Sequence, residues 1–174
     1  MRDQNEKKDS NHSMCCCHCH PGSGRSASIQ MSQNISALEI DLGDEGYSIS
    51  RSVVIDGYYH VNYFRKNTFT GKISIDGYSV TDSDLVSLVE IAGDNNDILY
   101  NGPGTDRRLY FGRLFSNHSV SELVIALSDA ATSGDPSGGG VTISENSGRY
   151  IVTDSATRDS AVEKICEIIR KYIY

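Results

Sequence analysis

The chain has 174 residues, 38% of them apolar and 22% charged, with a formal net charge of −7. That length and balance fit one domain with its own core, and no run approaches the roughly 18 apolar residues of a membrane-spanning helix. Residues 1–30 carry a net +1 and the remainder −8, which makes a poor general nucleic-acid binder because phosphate contacts need clustered Lys and Arg.

Residues 1–34 are rich in Ser, Asn, Lys, Asp and Gly and lack apolar periodicity. They read as a disordered tail, since they bring too little apolar surface to offset the entropy of ordering. Met14 and Met31 are alternative starts within it. No apolar leader is visible, and four of the five cysteines crowd together rather than spreading as a disulfide framework, so the expected location is cytoplasmic. The tail carries Cys15, Cys16, Cys17, His18, Cys19 and His20. Thiolate and imidazole are ligands for Zn, and thiolate for Cu(I), with Cys16 and Cys19 at a spacing that lets two sulfurs meet one metal. A second, separated ligand pair is missing, which excludes a zinc finger. Acylation of these cysteines would anchor the chain to a membrane. An inert tail is the plainest reading.

The folded part is expected over residues 35–174, opening with a strand through Ala37, Ile40 and Leu42 and a turn at Gly43–Gly46. The strongest local signal follows, YSISRSVVIDGYYHVNYF from Tyr47 to Phe64. Asp56-Gly57 suits a two-residue type I′ turn, which makes this stretch a hairpin with Ile55 facing Tyr58 and Val53 facing His60. A second Ile-Asp-Gly-Tyr, Ile75 to Tyr78, marks a similar turn after a strand at Lys72–Ile75. A helix is expected from Asp82 to Ala92, capped by Thr81, with Leu85, Leu88, Val89 and Ala92 as its apolar stripe. Strands at Ile98–Tyr100 and Arg108–Phe115 come next. A second helix is expected to open at Ser119 and Glu122, with Val120, Leu123, Val124 and Leu127 inward. Val141–Ser144 and Arg149–Thr153 read as a hairpin, and Thr157–Tyr172 as the last helix, with Val162, Ile165, Ile169 and Tyr172 on one face. The fold class this implies is α+β: an antiparallel β-meander of about six to eight strands, three helices mainly on one face, and the C-terminal helix across the sheet.

No catalytic constellation emerges. There is no nucleophile elbow, no metalloprotease or EF-hand spacing, and Gly138–Gly140 lacks the Lys-Ser/Thr of a phosphate loop. Arg51, Tyr58, His60 and Asn62 are the candidate ligand-binding set, because the expected hairpin would present them together; an ordinary solvent-facing sheet surface is the competing reading. Ten tyrosines and an acidic balance point to a non-enzymatic protein-interaction module of inhibitor, immunity or adaptor type, with a basic protein as a fitting partner. Metal binding by the tail and small-ligand binding by the domain are the alternatives.

Overall fold

The computed structural model describes residues 27–86, 88–91, 96–102, 108–116, 122–133, 140, 141, 143, 144 and 146–173. Its strands are β1 (Ala27–Asp41), β2 (Asp44–Val61), β3 (Thr68–Ile75), β4 (Val89–Glu90), β5 (Asp97–Asn101), β6 (Arg108–Ser116), β7 (Leu123–Leu127) and β8 (Arg149–Thr153). The two α-helices are α1 (Asp129–Ser133) and α2 (Arg158–Ile173), and a 3₁₀ turn spans Ser79–Asp82. The Cys/His cluster, Cys15 to His20, lies outside the described residues, whereas residues 27–34, expected as the end of a disordered tail, are the first half of β1. Among these residues no helix is long and apolar enough to cross a membrane.

The strands form one antiparallel sheet in the order β4-β3-β2-β1-β8-β7-β6-β5. The last strand returns to the first, so the meander curls into a nearly closed barrel whose seam lies between β4 and β5. The chain between the 3₁₀ turn and β4 stitches that seam: the Leu85 amide donates to Gly71 of β3 and the Val86 amide to Leu99 of β5. Tyr100 of β5 adds a hydroxyl bond to the Ile73 carbonyl of β3.

Alternation along each strand divides the apolar residues into two cores. One fills the barrel, with Val53, Ile55, Phe69, Ile73, Tyr100, Phe111, Leu114, Ile125 and Ile151 buried together. The other lies outside, where Leu38, Ile40, Val124, Ala126, Tyr150 and Val152 meet Ala161, Ile165, Ile168 and Ile169 of α2. Each fully buried aliphatic side chain contributes about 1.5–3 kcal/mol, so this stripe holds α2 down firmly. Thr157 caps the helix through its hydroxyl and the Ser160 amide. Arg158 then pins its first turn by donating to the carbonyls of Asp41 and Tyr47 at the β1–β2 turn.

The α+β expectation of three helices over a meander is therefore wrong. The described residues are mostly β, and among them two of the three expected helices are absent. Around residues 82–92, Val89 and Ile91 are buried while Leu88 is exposed, a period of two that uses the segment's amides to close the seam. Leu123–Leu127 is buried at every position, because β7 has the barrel interior on one face and α2 on the other. A continuous apolar run of that kind belongs to a doubly covered strand.

The Asp56-Gly57 hairpin is also overturned. β2 runs straight through it, with Gly57 opposite Met31 on one side and Gly71 on the other. A Cβ on Gly57 would stand 2.2 Å from the Thr70 carbonyl oxygen and 2.8 Å from the Gly71 Cα. The glycine is there for close approach of two backbones. Turns form instead at Leu42-Gly43, between β1 and β2, and at Asp76-Gly77, where Gly77 has φ +84°. Val141 makes a single bridge to Ser128, and β8 pairs with β1 and β7 rather than with the Val141–Ser144 segment.

Candidate interaction surface

Strands in a barrel are staggered, and β1 shows the consequence. Its whole length pairs with β2, but only Ala37–Asp41 pair with β8. The Asp154 amide donates to the Ser36 carbonyl, and upstream of that bond no described strand covers the outer edge of Ala27–Ile35. Backbone groups alternate in direction along a strand. Since the Ser36 carbonyl points outward, those of Ser28, Gln30, Ser32 and Asn34 do as well, whereas odd-numbered residues bond to β2. Residues 27–36 contain no charge, proline or glycine, so the usual devices that blunt a strand edge are missing.

The far end of this ribbon carries apolar surface. Asn62 and Asn67 hold the loop between β2 and β3, the Asn62 amide donating to Asn67 Oδ1 at 2.9 Å and Asn62 Nδ2 to the Lys66 carbonyl. The loop leaves Tyr63 77% and Phe64 94% exposed. On the outer face, Tyr58 stacks beside His60 with 6.5 Å between ring centroids. His60 uses both ring nitrogens, toward Ser28 Oγ and Thr70 Oγ1, each at 2.9 Å, and so ties β1, β2 and β3 together.

The opposite mouth of the barrel is closed by a polar cluster. Glu39 is wholly buried and accepts from Tyr47 Oη at 2.7 Å, Arg51 Nε at 2.7 Å and Tyr78 Oη at 2.9 Å. Arg149 Nε stands 3.8 Å from Glu39 and from Asp41, with its guanidinium over the Tyr47 ring. Arg51 lies over the Tyr78 ring and against Gly77, where any Cβ would meet its Nη1. Burial, reinforced by the Glu39 carboxylate, pushes the Tyr47 and Tyr78 hydroxyls above the usual tyrosine range. For Arg51, burial is the largest single influence and acts against the charge, but the bond to Glu39, its carboxylate charge and the two tyrosines together outweigh it, and the guanidinium is held more firmly protonated. With its carboxylate sealed from solvent, this cluster is built as a plug for the core.

The four candidate ligand-binding residues are not brought together. Arg51 faces the plugged mouth, Tyr58 and His60 lie on the outer face toward the other end, and Asn62 sits in the loop. Among the described residues no three His, Cys, Asp or Glu side chains are placed to hold a metal. Glu39 and its partners Tyr78 and Arg149 were missed by sequence reading. The available signal was alternation: in Ala37-Leu38-Glu39-Ile40, the acid shares a row with Ala37, which faces the barrel core.

Compared with family models, curated proteins and solved structures, the chain matches none.

Proposed function

We propose that this chain is a protein-interaction module whose recognition element is the open edge of β1, flanked by Tyr63 and Phe64. The observation that carries the reading is the uncovered, uncharged edge at Ala27–Ile35. A strand from a partner would add to it, with main-chain bonds supplying affinity and the exposed aromatic tip supplying specificity. Tyrosine number alone is a weaker argument than it first looks. Tyr100 and Tyr150 are fully buried, and Tyr47 and Tyr78 serve the Glu39 plug, which leaves Tyr58 and Tyr63 as the well-exposed tyrosines among the described residues.

Affinity measurement against a partner captured from the native source tests this. Gln30→Pro removes an outward amide without taking a bond from β2, and Phe64→Ser removes the apolar tip. Both are expected to weaken binding, while Asp129→Asn, on the exposed start of α1, leaves it unchanged. Wild-type affinity in both variants would overturn the assignment of the surface.

A further inference from the structure

Resting on the strand-addition reading above, we infer that the occupant of the open β1 edge is a second copy of this chain, added antiparallel about a two-fold axis through Met31. Among the described residues the uncovered window runs from Ala27 to Ile35, and Met31 is its midpoint. An antiparallel two-fold there places Ala27 opposite Ile35, Ser28 opposite Asn34, Ile29 opposite Gln33 and Gln30 opposite Ser32, and it is the register that pairs the whole window.

That register is also compatible with the ladder of an antiparallel pair. In an antiparallel ladder, hydrogen-bonded and non-hydrogen-bonded pairs alternate. The outward groups belong to Ser28, Gln30, Ser32 and Asn34, and the two-fold sets these four against one another, so each exchanges both its N–H and its C=O with the other copy. Met31 then meets its own counterpart in a non-hydrogen-bonded pair, where side chains come closest.

Side-chain chemistry agrees. The odd row, with Ile29, Met31 and Ile35, continues the inward-facing side; Met31 and Ile35 already pack on the barrel core while Ile29 is 45% exposed. The same row holds the exposed Gln33, so pairing sets Met31 against Met31, Ala27 against Ile35 and Ile29 against Gln33, a strip that is apolar but for that amide. The even row is Ser, Gln, Ser and Asn, uncharged amides and hydroxyls that face each other without repulsion. A chain of net charge −7 repels its copy overall, but no charge stands in the contact window and the remaining repulsion is screened by salt. The interface is isologous, as a closed dimer requires.

Sedimentation equilibrium on the full chain tests the inference. The wild type is expected to sediment as two chains at micromolar concentration, with dissociation reduced by added salt. The variants Gln30→Lys/Ser32→Lys and Gln30→Glu/Ser32→Glu place like charges opposite one another and are expected to run as single chains; both sites are exposed. Mixing the two variants sets each Lys against a Glu and restores the dimer. Gln30→Pro, checked for folding by circular dichroism, is expected to be a single chain too. A wild type that stays a single chain overturns the inference, as does a dimer that survives in the Lys and Glu variants. If the wild type is a single chain but a captured partner still depends on Gln30, the strand-addition reading stands and only the second copy is lost.

Discussion

Glu39→Gln is the substitution that most directly questions the plugged mouth. It keeps the side-chain volume and one acceptor oxygen but removes the charge that Arg51 and Arg149 surround. Glu39 has no exposed side-chain surface, while Arg51 and Arg149 retain 17% and 27%. Breaking a buried pair by removing one partner costs about 3–5 kcal/mol, and the partial exposure of both arginines puts this case near the lower end, about 3 kcal/mol. With a urea dependence of about 2 kcal/mol per molar, the unfolding midpoint falls by about 1.5 M. Urea unfolding followed by far-UV circular dichroism reads that shift. Arg51→Met should also destabilise on its own, but the double variant Glu39→Gln/Arg51→Met should cost less than the two single costs together, since residues sharing one network are not additive. A loss below about 1 kcal/mol for Glu39→Gln, or strict additivity in the cycle, would refute the buried network.

Gly57→Ala forces a Cβ into the Thr70 carbonyl and should cost roughly 2 kcal/mol or more in urea unfolding, whereas Gly43→Ala, whose nearest neighbour is Asp41 Oδ1 at 3.4 Å, should be close to neutral; equal effects would sink the close-approach argument. Hydrogen exchange on the dilute chain should alternate along β1, slow at Ile29, Met31 and Gln33, which face Tyr59, Gly57 and Ile55 of β2, and fast at Ser28, Gln30, Ser32 and Asn34. Uniform protection under those conditions would mean the edge is covered. Burial, with the Asp97 carboxylate beside it, pushes Tyr110 up to about 12, and Tyr78 and Tyr100 move in the same direction. The unfolded chain ionises its tyrosines near pH 10, so these groups contribute stability that is intact below about pH 10 and declines toward about pH 12. Unfolding free energies that stay flat across that range would contradict the burial of these hydroxyls.

Local chemistry made some elements legible and misled on others. The turn at Asp76-Gly77 follows from the backbone freedom of Gly77, whose φ is +84°. The identical dipeptide at Asp56-Gly57 does not turn, because Gly71 stands opposite Gly57 and only two glycines let the β2 and β3 backbones come that close. Nothing within a short window of Asp56 carries that information. The candidate ligand set is dispersed for the same reason: Arg51, Tyr58, His60 and Asn62 share a face only if the chain folds back at Gly57, and a continuous β2 sends Arg51 to the inner face and Tyr58 and His60 to the outer one.

By itself the sequence determined whatever depends on contacts within a few residues. The stripe of Ile165 and Ile169 made α2, with Thr157 starting it, and alternation or short apolar runs located β3, β5, β6 and β8. Tertiary structure decided between strand and helix at residues 82–92 and Leu123–Leu127, where apolar spacing suits both. Barrel closure then claims the amides of Leu85 and Val86 for the seam, and α2 covers the second face of β7. It also decided where Glu39 sits and which half of β1 stays open. Both follow from the stagger of strands around a closing barrel, a property of the whole sheet that no single strand encodes.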